Sequence, residues 1–317
     1  MLATARPLLL EEVEVVAVER PSPSFVRVAL ASPALAQFGV EGRRSLADQR
    51  IKLIVPAPGE RLDPLATLGE HWYAEWRERP QPGRGHLRTY TVRDVVGTGE
   101  QTRVVVDIVV HPATPETPLG PGARWAEAAQ VGDRVGLVAP RRGHLFGGIE
   151  FEPGTASRLL LAGDETALPA IAAILADPPP GARGVAFVEV PTSADVLDLP
   201  HPDSIALQWL PRDGAAHGTH LGPAVLAYLR REDAAALALP EVEDVDPDLW
   251  ETPVFSSSGE DVEQGVEAGP HDDLYAWIAG EAGVVTALRR ALVQDLGLPR
   301  RQVAFMGYWR RGAAVRD

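Results

Sequence analysis

Apolar and β-branched residues in the first half of the chain gather into six short runs, at 12–17, 24–30, 50–55, 86–93, 102–110 and 134–139. Proline, glycine and charged residues separate these runs, which is the grammar of strands and turns. Six strands with few helical stripes between them predict a small antiparallel barrel. Residues 58–85, rich in proline, glycine, tryptophan and charge, predict a long loop or hairpin arm. After Pro153 and Gly154 the pattern changes. A strand at 158–162 is followed by a helix at 168–176, strands at 184–190 and 204–210, and a helix at 223–230. A strand at 274–279, an amphipathic helix at 283–295 and a strand at 303–308 complete an alternating α/β series.

The expected fold is therefore β followed by α/β. Residues 1–153 form an antiparallel barrel, and residues 154–317 form a domain with a mostly parallel sheet. A length of 317 residues agrees with two cores. Between Glu241 and Asp273 the chain carries twelve acidic residues and no lysine or arginine, with little periodicity, and reads as a mobile surface insertion ahead of an acidic docking surface. That stretch supplies most of the net charge of -14, since removing it leaves 32 acids against 30 bases.

Composition narrows the chemistry. With no cysteine, disulfides, thiolate nucleophiles and iron–sulfur clusters are excluded, so redox work requires an organic cofactor or a non-cysteine metal site. Apolar runs are too short to cross a bilayer, and Glu11, Glu12 and Glu14 stand where a signal peptide needs an apolar stretch. A cytoplasmic monomer without nucleic-acid or membrane partners is expected.

The sharpest local motif is Arg88-Thr89-Tyr90-Thr91-Val92-Arg93. Alternation along a strand puts Arg88, Tyr90 and Val92 on one face. Arginine offers a planar fork matched to phosphate, and tyrosine offers a flat ring matched to an isoalloxazine. Thr91 adds a donor near the edge of such a ring. An edge strand with a salt-bridged arginine would use the same residues. Further along, Asp107 to His111 form a strand, and Gly120-Pro121-Gly122-Ala123-Arg124-Trp125-Ala126 opens a helix. Its first N–H groups suit a pyrophosphate, or merely start a helix. His111 reads as a capping or core histidine ahead of a cofactor contact. Asp164, Glu165 and Thr166 follow a strand, at the end where α/β sheets hold ligands. They fit a nicotinamide or flavin contact, or a capping pair, and the chain lacks a G-x-G-x-x-G fingerprint there.

Taken in order, residues 48–53 with Lys52, the strand 88–93, the segments 120–126 and 163–169, Gly280-Glu281-Ala282 and Gly307-Tyr308-Trp309-Arg310-Arg311-Gly312 resemble the siderophore-interacting protein family. The resemblance covers nearly the whole chain. It implies membership of the ferredoxin-reductase superfamily, with an FAD barrel followed by a nicotinamide-binding α/β domain, and NADPH as the usual donor with NADH as the alternative. It also implies that Arg88, Tyr90 and Thr91 hold the flavin end of FAD. Asp107, Val109, His111, Gly122, Ala123 and Trp125 would hold the rest. Asp164, Glu165, Thr166, Gly280, Glu281 and Ala282 would frame the nicotinamide. Two departures stand out: residues 112–119 are longer than the family's short glycine link, and the acidic stretch is unusual.

A nicotinamide gives up two electrons as a hydride, whereas Fe(III) accepts one, so the resemblance implies a flavin intermediary. No side chain is then needed as a catalytic acid or base, and none as a metal ligand. The expected activity is cytoplasmic reduction of a ferric siderophore with release of Fe(II). Its rivals are a reductase serving ferredoxin or free flavin, and a ferric-chelate carrier without turnover. An anionic chelate requires a local basic patch on so acidic a protein, for which Lys52, Arg141, Arg142 and Arg310 are the candidates. Balanced surface charges are the plainer reading of each. Thr192, Ser193 and Arg212, after the next two strands, are candidates for the 2'-phosphate of NADPH or ordinary loop groups.

Overall fold

The computed structural model describes residues 6–39, 46–111, 119–230, 250–252, 255–256 and 273–312. The chain divides between Ile149 and Glu150 into two compact units.

In the first unit, β1 (Leu8–Ser22), β2 (Phe25–Ala31), β3 (Arg50–Val55), β4 (His86–Thr91), β5 (Asp94–Val96), β6 (Arg103–Val109) and β7 (Arg134–Pro140) form one sheet. Its order is β4-β3-β7-β1-β2-β6-β5, and each neighbouring pair is antiparallel. The long β1 pairs with β7 over Leu8 to Glu14 and with β2 from Glu14 to Ser22, and irregularities in the second register curl it. The two ends of the sheet, β4 and β5, are separated in the chain only by Val92 and Arg93. Val92 N donates to Gln49 O beside β3 at 2.8 Å, and Arg93 N donates to Val105 O on β6 at 2.9 Å. One run of chain thus pairs with both edges and closes the barrel, where the sequence read it as a single strand.

Inward side chains from these strands fill the barrel with Leu9, Val13, Val28, Ile51, Leu53, Val106 and Leu137, all essentially inaccessible to water. The short helix α2 lies over this core (α1 is described below). It spans Pro121–Ala128, buries Ala126 and rests Ala123 and Trp125 against the cluster. On the outer face of the sheet a second cluster joins Leu10, Ile54 and Val138 to Leu65, Leu68 and Trp76. Trp76 belongs to α1 (Trp72–Glu78), a helix within the stretch read as a loop or arm. The buried Trp76, whose indole N–H donates to Arg84 O at 2.8 Å, fastens that arm to the barrel.

The second unit is a seven-stranded sheet of order β10-β9-β8-β13-β14-β11-β12. The strands are β8 (Arg158–Gly163), β9 (Arg183–Val190), β10 (Ile205–Pro211), β11 (Trp250–Thr252), β12 (Phe255–Ser256), β13 (Leu274–Glu281) and β14 (Val303–Trp309). The first five in that order run parallel, and β11 and β12 add antiparallel. Helices α4 (Leu221–Arg230) and α5 (Ala282–Arg289) cover one face through Leu160, Phe187, Val225, Ile278, Leu288 and Phe305. The apolar α3 (Leu168–Ala176) meets the residues that alternation sends to the other side, and a methyl on Gly163 would strike Ala167 and Ile171. Strand order reverses between β8 and β13, so their carboxyl ends flank a crevice of the kind where open α/β sheets bind ligands.

The acidic stretch is not wholly an insertion. Residues 250–252 are a strand of the sheet, with Trp250 and Glu251 opposite Met306 and Phe305 of β14. Glu251 is buried and takes a two-pronged ion pair from Arg289 of α5, at 2.6 and 2.7 Å. The remainder of 241–273, apart from 255–256 and Asp273, lies outside the described residues. Removing one partner of a buried pair strands the other charge, at a cost of about 3–5 kcal/mol, and Arg289 at 14% side-chain exposure keeps some water, which lowers this to about 2–3 kcal/mol. Glu251→Ala is expected to lower the urea midpoint accordingly without changing the slope; an unchanged midpoint would show that β11 contributes nothing to the unit.

Candidate functional site

The register of the barrel sorts the sequence motif into two faces. Arg88 lies opposite Leu53 and Tyr90 opposite Ile51, on the face that looks inward, while Thr89 and Thr91 lie opposite Lys52 and Arg50 on the outer face. Tyr90 packs against the barrel core, and burial pushes its phenol up to about 12 despite the opposing pull of Arg88. It is neutral at physiological pH.

The helix start is brought to these two side chains. A Cβ on Gly122 would lie 2.1 Å from the Tyr90 hydroxyl and 3.5 Å from Arg88 Cγ, so only glycine permits this approach. Gly120 caps α2 without a side-chain hydrogen bond, and Pro121 occupies the first turn. The amides of Gly122 and Ala123 in that first turn have no carbonyl partner within their own helix. A guanidinium, a flat ring and the positive end of a helix thus meet at one place, which is the donor set that a flavin diphosphate requires. Along α2 runs a groove of about 1010 Å³, lined by Pro121, Arg124 and Trp125, by His86 of β4, and by residues 56–62.

Other sequence candidates fall differently. Thr91 is buried beside Val92. Asp107 is buried, but its carboxylate receives Nε and Nη2 of Arg27 at 2.7 and 2.8 Å, with Arg93 Nε at 3.8 Å. Its position behind the closing joint braces the barrel. Val109 and His111 are half-buried at the end of β6, and residues 112–118, with most of the long link, lie outside the described residues.

At the carboxyl ends of the second sheet the acids are buried and fully engaged. Asp164 accepts from Thr166 N and Oγ1 at 2.9 and 2.5 Å, from Glu281 N at 2.8 Å and from Trp309 Nε1 at 2.8 Å. Burial, then neighbouring Glu165, raise its pKa to about 6, against the lowering by these donors. Gly280, at φ +146°, lets the chain pass this carboxylate: a Cβ there would lie 2.7 Å from Asp164 Oδ2. Glu281 caps α5 by accepting from Val284 N at 3.0 Å, and its other oxygen accepts from Arg311 N at 3.2 Å. Ala282 opens α5 and is buried.

Glu165 corrects the reading of a ligand contact. Its carboxylate, inaccessible to water, receives Arg212 Nη1 and Nη2 at 2.7 and 2.9 Å. Arg212 also approaches Glu189 at 3.4 Å, so it is unavailable to a 2'-phosphate. Thr192 is likewise occupied, forming a reciprocal cap with Asp195. Glu189, unmarked in the sequence because it sits in an apolar strand, accepts from Gly218, His220 and Leu221 amides at 2.8, 3.0 and 3.0 Å and so caps α4. His217 lies edge-on to Trp309 at 4.8 Å, and burial followed by Arg212 lowers its pKa.

The candidate cations occupy both units. Lys52 is half-buried on β3, donating to Thr89 Oγ1 at 3.1 Å, and burial and then Arg50 lower its pKa. Arg141 and Arg142 follow the adjacent β7 and reach the carbonyls of Leu8 and Phe38 at 3.4 and 3.3 Å. Arg310, in the second unit, is exposed after β14.

Two substitutions test the cradle. Gly122→Ala drives a methyl into Tyr90, and Arg88→Ala removes the guanidinium expected to meet a cofactor phosphate, a charge-assisted contact worth about 1.5–3 kcal/mol. Both variants are expected to purify with little flavin and to rebind added FAD at least tenfold more weakly by fluorescence quenching; full flavin content in both would place the cofactor elsewhere.

Comparison with known proteins follows the same division. Residues 14–144 match the siderophore-interacting FAD-binding domain, and residues 156–312 match the siderophore-interacting protein model. An uncharacterized protein of Mycobacterium tuberculosis is 31% identical over 304 residues, covering 94% of this chain and 89% of that protein. The ferric vibriobactin reductase of Vibrio cholerae is 29% identical over 292 residues, covering 92% and 86%. A siderophore utilization protein from T. fusca, known from its crystal structure, superposes with a TM-score of 0.64 at 29% identity over 98% of this chain and 96% of that one. With both of its units matched in order, the chain belongs to the siderophore-interacting protein family.

Proposed function

We propose that this protein is an FAD-dependent reductase that takes electrons from NADPH or NADH and passes them to a ferric siderophore in the cytoplasm, releasing Fe(II). The observation that carries the reading is the meeting of Arg88, Tyr90 and the Gly122 turn of α2. The ferric reductase of Vibrio cholerae among its relatives supports the substrate class. When bound, the flavin accepts a two-electron hydride and releases electrons singly, which reconciles a nicotinamide with iron.

The side chains supply binding and orientation. Arg88 offers its fork to the diphosphate, and the first amides of α2 oppose the same charge. Tyr90, neutral and packed against the barrel core, would offer its ring to the isoalloxazine without moving a proton. The crevice between the ends of β8 and β13 receives the nicotinamide nucleotide, with Thr166 and the Gly280 turn at its edge. Because Arg212 is locked by two glutamates, any preference for a 2'-phosphate rests on other groups.

The acceptor is anionic when its iron is held by catecholates, and the net charge of -14 opposes its approach. Lys52 offsets this locally. Burial has already removed part of its hydration, so meeting an anion restores stabilisation that water no longer supplies. Arg141 and Arg142 add positive charge within the first unit, and Arg310 supplies it in the second. No helix among the described residues is long and apolar enough to span a membrane.

Lys52→Ala and Arg310→Ala are each expected to lower kcat/KM for ferric tris(2,3-dihydroxybenzoate) about five- to tenfold and to flatten its decline with salt. The loss should fall on the ferric half-reaction. Equal losses in flavin reduction by the nicotinamide would assign these residues to cofactor binding or folding instead.

A further inference from the structure

Four consecutive residues, Tyr308 to Arg311, span the end of β14, and three of them are anchored from different directions. Tyr308 stacks on Trp250 of β11, with ring centroids 6.1 Å apart, and meets the edge of Trp277 of β13 at 6.3 Å. Trp309 gives its indole N–H to Asp164 and sets its ring against His217. Arg311 gives its backbone N–H to Glu281. Between the last two stands Arg310, whose side chain is exposed.

The backbone shows the same device. Along β13 and β14, Gly280 pairs with Gly307, but Glu281 pairs with Trp309, so Tyr308 is an extra residue opposite the joint. A bulge of this kind turns a strand and re-aims the side chains that follow it. The Asp164 carboxylate also grips the element that carries Glu281, since Glu281 N donates to Asp164 Oδ2, the oxygen that takes the Trp309 indole. The ends of β8, β13 and β14 are thereby tied through one buried oxygen.

We infer that Asp164 and Glu281 are positioning residues for Arg310, clamping its two neighbours so that its guanidinium is held ready for the anionic ferric chelate. This rests on the reading of Arg310 as part of the acceptor site. A long arginine loses rotamer and backbone freedom when it binds, and a backbone fixed on both sides has already lost its share. The clamp therefore raises affinity without touching the chelate.

Binding of ferric tris(2,3-dihydroxybenzoate) to the oxidised FAD-loaded protein, measured by calorimetry in a double-mutant cycle, tests the inference. Arg310→Ala is expected to weaken binding about tenfold, and Asp164→Asn and Trp309→Phe about three- to fivefold each. On an Arg310→Ala background, Asp164→Asn and Trp309→Phe should add less than twofold, because a clamp without its arginine has nothing to hold. General loosening of the unit would weaken the Arg310→Ala protein as much as the wild type. Trp309→Phe keeps a ring against His217 and removes only one donor, so it stays informative should Asp164→Asn fold poorly. If Arg310→Ala weakens binding but the other losses simply add to it, or are absent, the clamp is overturned and the acceptor site stands. An unaltered affinity in Arg310→Ala overturns both.

Discussion

A barrel of seven antiparallel strands has two open edges until something joins them, and here one run of chain does so, pairing by His86–Thr91 with β3 and by Asp94–Val96 with β6. The change of partner is confined to Val92 and Arg93. It needs a fixed pivot: Val92 is buried in the barrel, and Arg93 is drawn toward the Asp107 carboxylate that Arg27 already holds. The strand entering this pivot carries Arg88 and Tyr90 to the end of the core that α2 covers, where Gly122 lets the helix come within contact of both. Barrel closure and assembly of the proposed cofactor cradle are in this sense the same event, and Asp107 serves the second by securing the first.

The second unit meets a different constraint. Three acids, Asp164, Glu165 and Glu189, are buried at the carboxyl ends of parallel strands, where an unpaired carboxylate would be severely disfavoured. Each is satisfied by a different means: Asp164 by four donors from three segments, Glu165 by an arginine fork, and Glu189 by the amides opening α4. These networks fix the loops around the crevice between β8 and β13. They also decide what the crevice offers to a ligand, since the fork of Arg212 is spent inside the protein while Arg310 is left outside.

The sequence made the framework legible where a pattern is local. The apolar run of α3 and the β-branched run of β3 were read with the boundaries they adopt, because length and flanking residues sufficed. Tyr90 beside Arg88 followed from alternation alone. What escaped depends on partners distant in the chain. Helix α1 has a single buried tryptophan in a polar segment and little stripe to reveal it. Strand β11 hides among acids because Glu251 is neutralised by Arg289 some forty residues on. Glu165 and Arg212 carry the residue types of a ligand site and are consumed by each other, a pairing that no spacing encodes. Trp309 was visible as a motif member, yet its bond to Asp164 requires the parallel packing of β8, β13 and β14.

The account stands or falls on whether reduced flavin in this cradle hands electrons to chelated iron. The most direct measurement is to reduce the bound flavin anaerobically with NADPH, remove the nucleotide, and mix with ferric tris(2,3-dihydroxybenzoate) while following flavin absorbance and a ferrous-specific chromogenic chelator together. Rapid reoxidation with about two Fe(II) formed per flavin is the predicted result, since the flavin releases two electrons and each iron takes one. Flavin that stays reduced in the presence of the ferric chelate, and is reoxidised only when a different acceptor is supplied, would contradict it.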